Sequence, residues 1–210
     1  MKSALYVFEG PNGVGKTTLS SHFNSYLNQH GFPSELVALP GRKVGSVGEH
    51  IYRLYHNPQS FGVRHISITS EQLLFTAAHA DVIENEILPI LSQGTNVVLD
   101  RFWWSTWVYS IAGGLDSRVR GLLLDLELKI WREVRPRCIF LVRRNRPPTS
   151  EHNPEKWSQL VSLYDDIRSQ QAAQVRIVDV DNNSNLEDAI SSVINSIGDD
   201  LARDNSQSKV

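Results

Sequence analysis

Cysteine is almost absent from this 210-residue chain; Cys138 stands alone. One thiol closes no intramolecular disulfide, and its place in the apolar run Cys138–Val142 predicts a buried, inert group. No uninterrupted apolar stretch of about 18 residues occurs, so no membrane-spanning helix and no membrane partner are expected. Charge of one sign is not in excess either: the formal net charge is −2, and no global basic surface points to nucleic acid. The apolar run starting at Ala4 leaves no room for a signal peptide, so a cytoplasmic location is expected. Internal repeats, low-complexity segments and a composition shift that would mark a domain boundary are also missing.

What is present suits a globular domain. Hydrophobic residues make up 40 % of the chain, enough for a sizeable core. Five apolar runs predict buried strands at Ala4–Phe8, Glu35–Leu39, Asn96–Leu99, Cys138–Val142 and Val175–Val180. Helical stripes separate them. Leu19, Phe23, Tyr26 and Leu27 share one face, with Gly31 as a C-cap. Leu73, Leu74, Ala77, Ile83, Ile87 and Leu91 predict a long helix ending before Gly94. Further stripes run over Val119, Leu122, Leu123, Leu126 and Ile130; over Trp157, Leu160, Val161, Tyr164 and Ile167; and over Leu186, Ile190, Val193, Ile194 and Ile197. Alternating strands and helices imply an α/β fold, a five-stranded parallel sheet with helices on both faces. Residues 1–201 read as a single domain and 202–210 as a polar, frayed tail.

Gly10-Pro11-Asn12-Gly13-Val14-Gly15-Lys16-Thr17 fits the G-x-x-x-x-G-K-T pattern, with an apolar strand before it and a helical pattern after it. Such a turn aims several backbone N–H groups at one point, and the helix dipole adds positive potential there. Asn12, Gly13, Val14, Gly15, Lys16, Thr17 and Thr18 would cradle the phosphates of ATP. Lys16 would reach the β- and γ-phosphates, and the Thr17 hydroxyl would ligate Mg²⁺. Asp100 closes the third apolar run; it would hold the Mg²⁺ shell, or else cap the next helix. Arg101 would point into the same cleft, where its rigid fork suits a phosphate oxygen.

Four segments together carry a family resemblance. Phe8-Glu9-Gly10 through Gly15-Lys16-Thr17-Thr18, Leu39-Pro40-Gly41-Arg42, Glu71 to Ala78, and Asp100-Arg101-Phe102-Trp103-Trp104-Ser105 with Tyr109 resemble the thymidylate kinases, in order and spacing. The resemblance covers roughly residues 4 to 180. It implies a P-loop kinase fold with a short lid, and transfer of a phosphoryl group from ATP, with Mg²⁺, to a thymidylate-like nucleoside monophosphate. It implies that Arg42 and Arg101 clamp the acceptor phosphate. Phe75 would stack on the base and Tyr109 would line the sugar or base, with Glu9 and Ser105 in the same motifs. Phe75 also fits a core stripe. Arg143, Arg144 and Arg146 lie where the family has its basic lid; one would stabilise the transferring phosphoryl group, or the segment is a solvated loop. Members are commonly dimers, so the resemblance implies a homodimer. Trp103, Trp104 and Trp107 read first as core and second as a subunit interface.

The chain departs from that pattern at three positions. Asn12 stands where the family P-loop has aspartate, His79 where an arginine bonds the thymine, and Asp81 where a glutamine lies near the base. These departures predict a pocket in which thymidylate is a poor acceptor unless another group compensates. They also leave open a kinase of a hydroxyl acceptor, with Glu9, Asp81 or Asp100 as general base. A nucleotide-binding module without catalysis is the remaining reading, and Lys16, Thr17, Asp100 and Arg101 argue against it.

Overall fold

A computed structural model describes residues 3–41, 43–132, 134–147 and 153–207. All five apolar runs are strands: β1 (Leu5–Glu9), β2 (Ser34–Ala38), β3 (Asn96–Asp100), β4 (Pro136–Arg143) and β5 (Ile177–Asp181). They form one parallel sheet in the order β2-β3-β1-β4-β5. The central strand β1 pairs Leu5 with Val97 of β3 and Tyr6 with Cys138 of β4.

The period of two in a strand sorts its side chains onto two cores. Leu5 and Val7 of β1 join Val97, Leu99, Ile139 and Leu141 on one face. Tyr6 and Phe8 join Val98, Cys138, Phe140 and Val142 on the other, so Cys138 is buried as expected. The second face is covered by α1 (Lys16–Gln29) and α8 (Leu186–Gln207). Phe23 of α1 meets the rings of Tyr6, Phe8 and Phe140 at centroid distances of 5.2, 5.9 and 5.5 Å. Burying a ring of that size contributes about 1.5–3 kcal/mol. Helix α1 ends as predicted: Gly31 takes φ 82°, and the Phe32 N–H reaches back to the Leu27 carbonyl at 2.9 Å.

The first face is covered by α3 (Ile68–Val82), α5 (Trp103–Ala112), α6 (Ser117–Trp131) and α7 (Pro154–Gln171). Trp103 and Trp104 are buried in this core and Trp107 packs partly against it, which fits the core reading of the three tryptophans. The long helix predicted over Leu73–Leu91 is not uniform. It passes from α3 through a π-helical turn, Ile83–Ile87, into the short α4 (Leu88–Ser92). Pro89 lacks an N–H, so the α-helical hydrogen-bond ladder breaks just before it.

Three expectations about helices need correction. On α3, Leu73 and Ala77 face solvent while Gln72, Thr76, Ala78 and His79 are buried. On α6, Leu122 and Leu126 are exposed while Leu123, Glu127 and Trp131 are buried. In both helices polar side chains occupy inward positions, which shifts the phase of the buried face. The polar segment after Leu201 does not leave the last helix, which runs to Gln207. One helix was not expected: α2 (Val47–His56). Its start carries a capping pattern, because Ser46 accepts from the Glu49 N–H at 3.1 Å and the Glu49 carboxylate accepts from the Gly45 N–H at 2.7 Å. Among the described residues no helix is long and apolar enough to cross a membrane.

Candidate active site

The loop between β1 and α1 turns on glycine. Gly10, Gly13 and Gly15 have φ of 138°, 81° and 100°, conformations that side-chain-bearing residues rarely adopt. A Cβ on Gly15 would stand 2.4 Å from Asn182 Nδ2, and that same amide donates to the Val14 carbonyl at 2.6 Å. Asn182, just beyond β5, therefore clamps the loop from across the sheet. Lys16 opens α1 and folds back, its Nζ donating to the carbonyls of Gly10 at 2.8 Å and Pro11 at 2.7 Å. Thr17 Oγ1 donates to Asp100 Oδ2 at 2.6 Å, so the expected hydroxyl and carboxylate meet at the ends of α1 and β3. These two hard oxygen donors suit a Mg²⁺ ion. Among the described residues no cluster of three or more His, Cys, Asp or Glu could hold a metal by itself.

Glu9 ends β1 and is wholly buried. Its Oε1 accepts from the N–H groups of Phe102 at 2.7 Å and Ser105 at 3.0 Å. Its Oε2 accepts from the Gly10 N–H, the Ser105 hydroxyl and the Tyr164 hydroxyl at 3.2, 2.9 and 3.1 Å. Phe102 caps α5 without a side-chain hydrogen bond, so Glu9 supplies from another strand the cap that the helix lacks. Burial pushes the Glu9 carboxyl above its usual range, while Arg101, Lys16 and the Ser105 and Phe102 hydrogen bonds pull against it. Both oxygens are engaged by fixed donors. That makes Glu9 a support of the site and removes it as the base of a hydroxyl kinase.

Arg101 follows the strand-end Asp100 with φ 79°, a left-handed conformation at a residue that is not glycine. Its guanidinium donates to Asn12 Oδ1 and, at 3.1 Å, to Ser105 Oγ, and lies 5.8 Å from the Tyr109 ring centre. The Tyr109 hydroxyl in turn accepts from the Asn12 N–H at 3.1 Å. Burial works against the Arg101 charge, but Tyr109, Tyr164, Glu9 and Asp100 outweigh it and raise its pKa. Burial also raises the pKa of Tyr109 and Tyr164, so both remain neutral hydroxyls near neutral pH.

A cavity of about 160 Å³ opens beside this cluster. Asn12, Arg101, Ser105 and Tyr109 line one side of it, and Pro40, Tyr52, Tyr55, His56, Glu71, Gln72, Phe75, His79 and Thr106 line the rest. Phe75 belongs to the cavity and to neither core cluster; its ring meets Tyr55 edge-on at 5.2 Å. His79 is buried, with Nδ1 2.9 Å from Glu127 Oε1, and the Thr106 hydroxyl donates to Glu127 Oε2 at 2.9 Å.

Other predicted residues fall elsewhere. Asp81 does not line the cavity; its Oδ1 accepts from Asn85 Nδ2 at 2.8 Å. Two positions along a helix turn the side chain by about 200°, so His79 and Asp81 point apart. Arg42 lies outside the described residues. Of the three arginines after β4, Arg143 has a structural partnership: Asp165 at 2.7 Å and Asp179 at 2.6 Å. Arg144 Nε donates to the Asn182 carbonyl at 2.9 Å, and Arg146 is exposed. Arg143 and Arg144 line a small cavity with Pro11 of the loop.

The sequence reading missed Gln72, Thr106, Glu127, Asn182 and the α2 aromatics. Gln72, Thr76 and His79 are spaced as one helical face, so a polar inward stripe on α3 was available as a signal. Asn182 had one too, a polar residue just past a strand's carboxyl end. Glu127 had none, because its partners lie 48 and 21 residues away in the chain.

Comparison with known proteins agrees with this geometry. The thymidylate kinase family model matches residues 8–153. A thymidylate kinase of Thermoanaerobacter sp. (strain X514) is 35 % identical over 134 residues, which is 64 % of this chain and 60 % of that protein. One from Dehalococcoides mccartyi is 34 % identical over 163 residues, 72 % of this chain and 76 % of that protein. The chain thus spans less than two thirds of the first of these relatives. The crystal structure of thymidylate kinase from Ehrlichia chaffeensis superposes with a TM-score of 0.75 at 24 % identity, over 94 % of this chain and 100 % of that one, and shows the shared fold. With the family pattern matched over well over half its length, and the loop, strand ends and cavity in place, the chain belongs to the thymidylate kinase family.

Proposed function

We propose that this protein transfers the γ-phosphoryl group of ATP to the 5′-phosphate of thymidylate. The observation that carries the reading is the adjacency of two features. The glycine loop with Lys16, Thr17 and Asp100 stands next to a cavity that Arg101 enters. A phosphate oxygen of the acceptor forms the new bond to the γ-phosphorus, the bond to the β,γ-bridging oxygen breaks, and ADP leaves. An acceptor that is already anionic needs no strong base, so positioning and charge neutralisation dominate. The saturated oxygens of Glu9 support this over a hydroxyl acceptor.

Within this reading the backbone N–H groups of Asn12–Thr18 hold the ATP phosphates, and Lys16 swings from its own loop carbonyls onto them. Thr17 and Asp100 hold Mg²⁺, which when bound neutralises charge on the phosphates. Arg101, oriented by Asn12, Ser105 and Tyr109, receives the acceptor phosphate. Asn12 accepts from Arg101 without carrying a charge, so the guanidinium keeps its full charge for the phosphate. Phe75 forms one wall for the base. Arg144 and Arg146 serve as the lid cations, because Arg143 is already held by two carboxylates. Exposed Leu122 and Leu126, four residues apart on α6, support a homodimer through that helix.

The test is turnover. The purified chain, given ATP and Mg²⁺, should convert thymidylate to the diphosphate, with ³¹P NMR showing a new diphosphate and ADP, and should leave thymidine unchanged. Phosphorylation of thymidine in preference to thymidylate, or turnover of neither, would overturn the assignment.

A further inference from the structure

We propose that Tyr164 is a positioning residue for Arg101, acting through Ser105, and that it ties the acceptor arginine to the helix that follows the lid segment. This rests on the reading, given above, of Arg101 as the group that receives the acceptor phosphate.

Tyr164 lies on α7, the helix that follows the segment leaving β4. Its ring is buried in the first core, and its hydroxyl stands 3.1 Å from Glu9 Oε2 and 3.1 Å from Ser105 Oγ. Ser105 has one hydroxyl proton, which goes to Glu9 Oε2 at 2.9 Å. Its oxygen is thereby left as an acceptor, and Arg101 donates to it at 3.1 Å. Packing alone does not explain the Tyr164 hydroxyl. A phenylalanine would fill the same space, and Glu9 already accepts from three N–H groups and the Ser105 hydroxyl. The tyrosine adds a second tie on Ser105. Bonded to both Glu9 and Tyr164, Ser105 Oγ keeps the one rotamer that also meets Arg101. Arg101 needs such support, because its φ of 79° is a conformation that surroundings must impose on a residue other than glycine.

The next residue on α7 reaches a different neighbour, because successive helical side chains point about 100° apart. Asp165 meets Arg143 at 2.7 Å, at the end of β4 where the lid segment begins. Tyr164 also lines a cavity of about 90 Å³ with Pro11 of the glycine loop and with Arg143 and Arg144. Two consecutive residues of α7 thus hold the support of the acceptor arginine and the root of the lid. A displacement of α7 therefore reaches Arg101 through Tyr164 and Ser105.

The experiment is a double-mutant cycle on the full chain, with thymidylate as acceptor and with ATP and Mg²⁺. Tyr164→Phe keeps the ring and removes the hydroxyl, so the fold should survive. It should lower kcat/KM for thymidylate by about tenfold and change the KM for ATP by less than about twofold. In an Arg101→Ala background the same substitution should change kcat/KM for thymidylate by less than about twofold, because the group it acts on is gone. No loss in Tyr164→Phe, a loss confined to the KM for ATP, or an equal loss in both backgrounds overturns the inference and leaves the kinase assignment standing. Equal losses would mean that Tyr164 serves only the fold. No turnover of thymidylate by the unmodified chain overturns the kinase assignment, and this inference with it. If Tyr164→Phe does not fold, ¹H NMR of the unmodified chain decides. The Tyr164 hydroxyl proton should shift when thymidylate is added and stay in place with ATP alone. No shift with thymidylate, or the same shift with ATP alone, overturns the proposal.

Discussion

The two sides of the cavity are built from different materials. On the side of the glycine loop the groups are backbone amides, strand ends and a helix start, all fixed by the parallel sheet, and Arg101 is set there by a left-handed φ of 79°. On the far side the walls are side chains from α2, α3 and α5, three elements that meet only in the folded state. The first side leaves little freedom for variation, because each group is a consequence of the fold's topology. The second is a set of replaceable parts, and there His79 differs from the family pattern without emptying the pocket; on the loop side Asn12 differs too, but it keeps the size of aspartate and a polar contact with Arg101. Asn12 contacts Arg101, and His79 is paired with Glu127. Asp81, the third departure, points elsewhere.

If the comparison holds, damage to the loop side removes chemistry and damage to the far side removes selectivity. Lys16→Ala should have the largest effect, a loss of about 10³-fold in kcat with an unchanged circular dichroism spectrum. Near-normal turnover in folded Lys16→Ala would erase the distinction. Arg101→Ala should lower kcat/KM for the acceptor by about 10²-fold and leave the KM for ATP nearly unchanged; an effect confined to ATP would place Arg101 on the wrong substrate. Phe75→Ala should be milder, raising the acceptor KM about tenfold with kcat largely kept. Steady-state kinetics with each substrate varied in turn separates these outcomes.

The smallest effect lies outside the cavity. Asp179 is partly buried, which raises its pKa, but the hydrogen bonds from Arg168 and Arg143 more than reverse this and hold it below the ordinary 3.8. A carboxyl whose folded pKa is depressed stabilises the fold above its unfolded pKa and loses that contribution as pH falls through the folded value. Asp179→Asn should thus cost no more than about 1 kcal/mol at neutral pH, roughly 2–4 °C in Tm, because the pair is partly solvated. The difference from the unmodified protein should shrink as pH falls below the ordinary 3.8 and vanish once Asp179 is protonated in the folded state. Thermal melts of both proteins across pH would show it, and a difference that persists in acid would mean the ion pairs are not its source.

The same contrast explains what could be read from the chain. The five strands, the glycine loop and the meeting of Thr17 with Asp100 follow from local patterns: apolar runs, a loop motif and a carboxylate at a strand's end. The inward faces of α3 and α6 were misphased because Gln72, Thr76, His79 and Glu127 are buried polar residues, and a hydrophobic stripe is blind to them. Glu9 read as a substrate contact, but its service to the start of α5 depends on strand pairing that brings Phe102 and Ser105 across 93 and 96 residues. Arg143 lay in a basic run that resembled a lid, and only the fold reveals the carboxylates of Asp165 and Asp179 beside it.

The account's central claim is that one cavity takes a nucleotide with its phosphate against Arg101 and its base against Phe75 and His79. A crystal structure of the protein with thymidylate tests it most directly. The account predicts phosphate oxygens within hydrogen-bond distance of the Arg101 guanidinium and the thymine ring flat on Phe75, with its edge towards His79. Thymidylate bound outside this cavity, or with its base at Arg101, would contradict it.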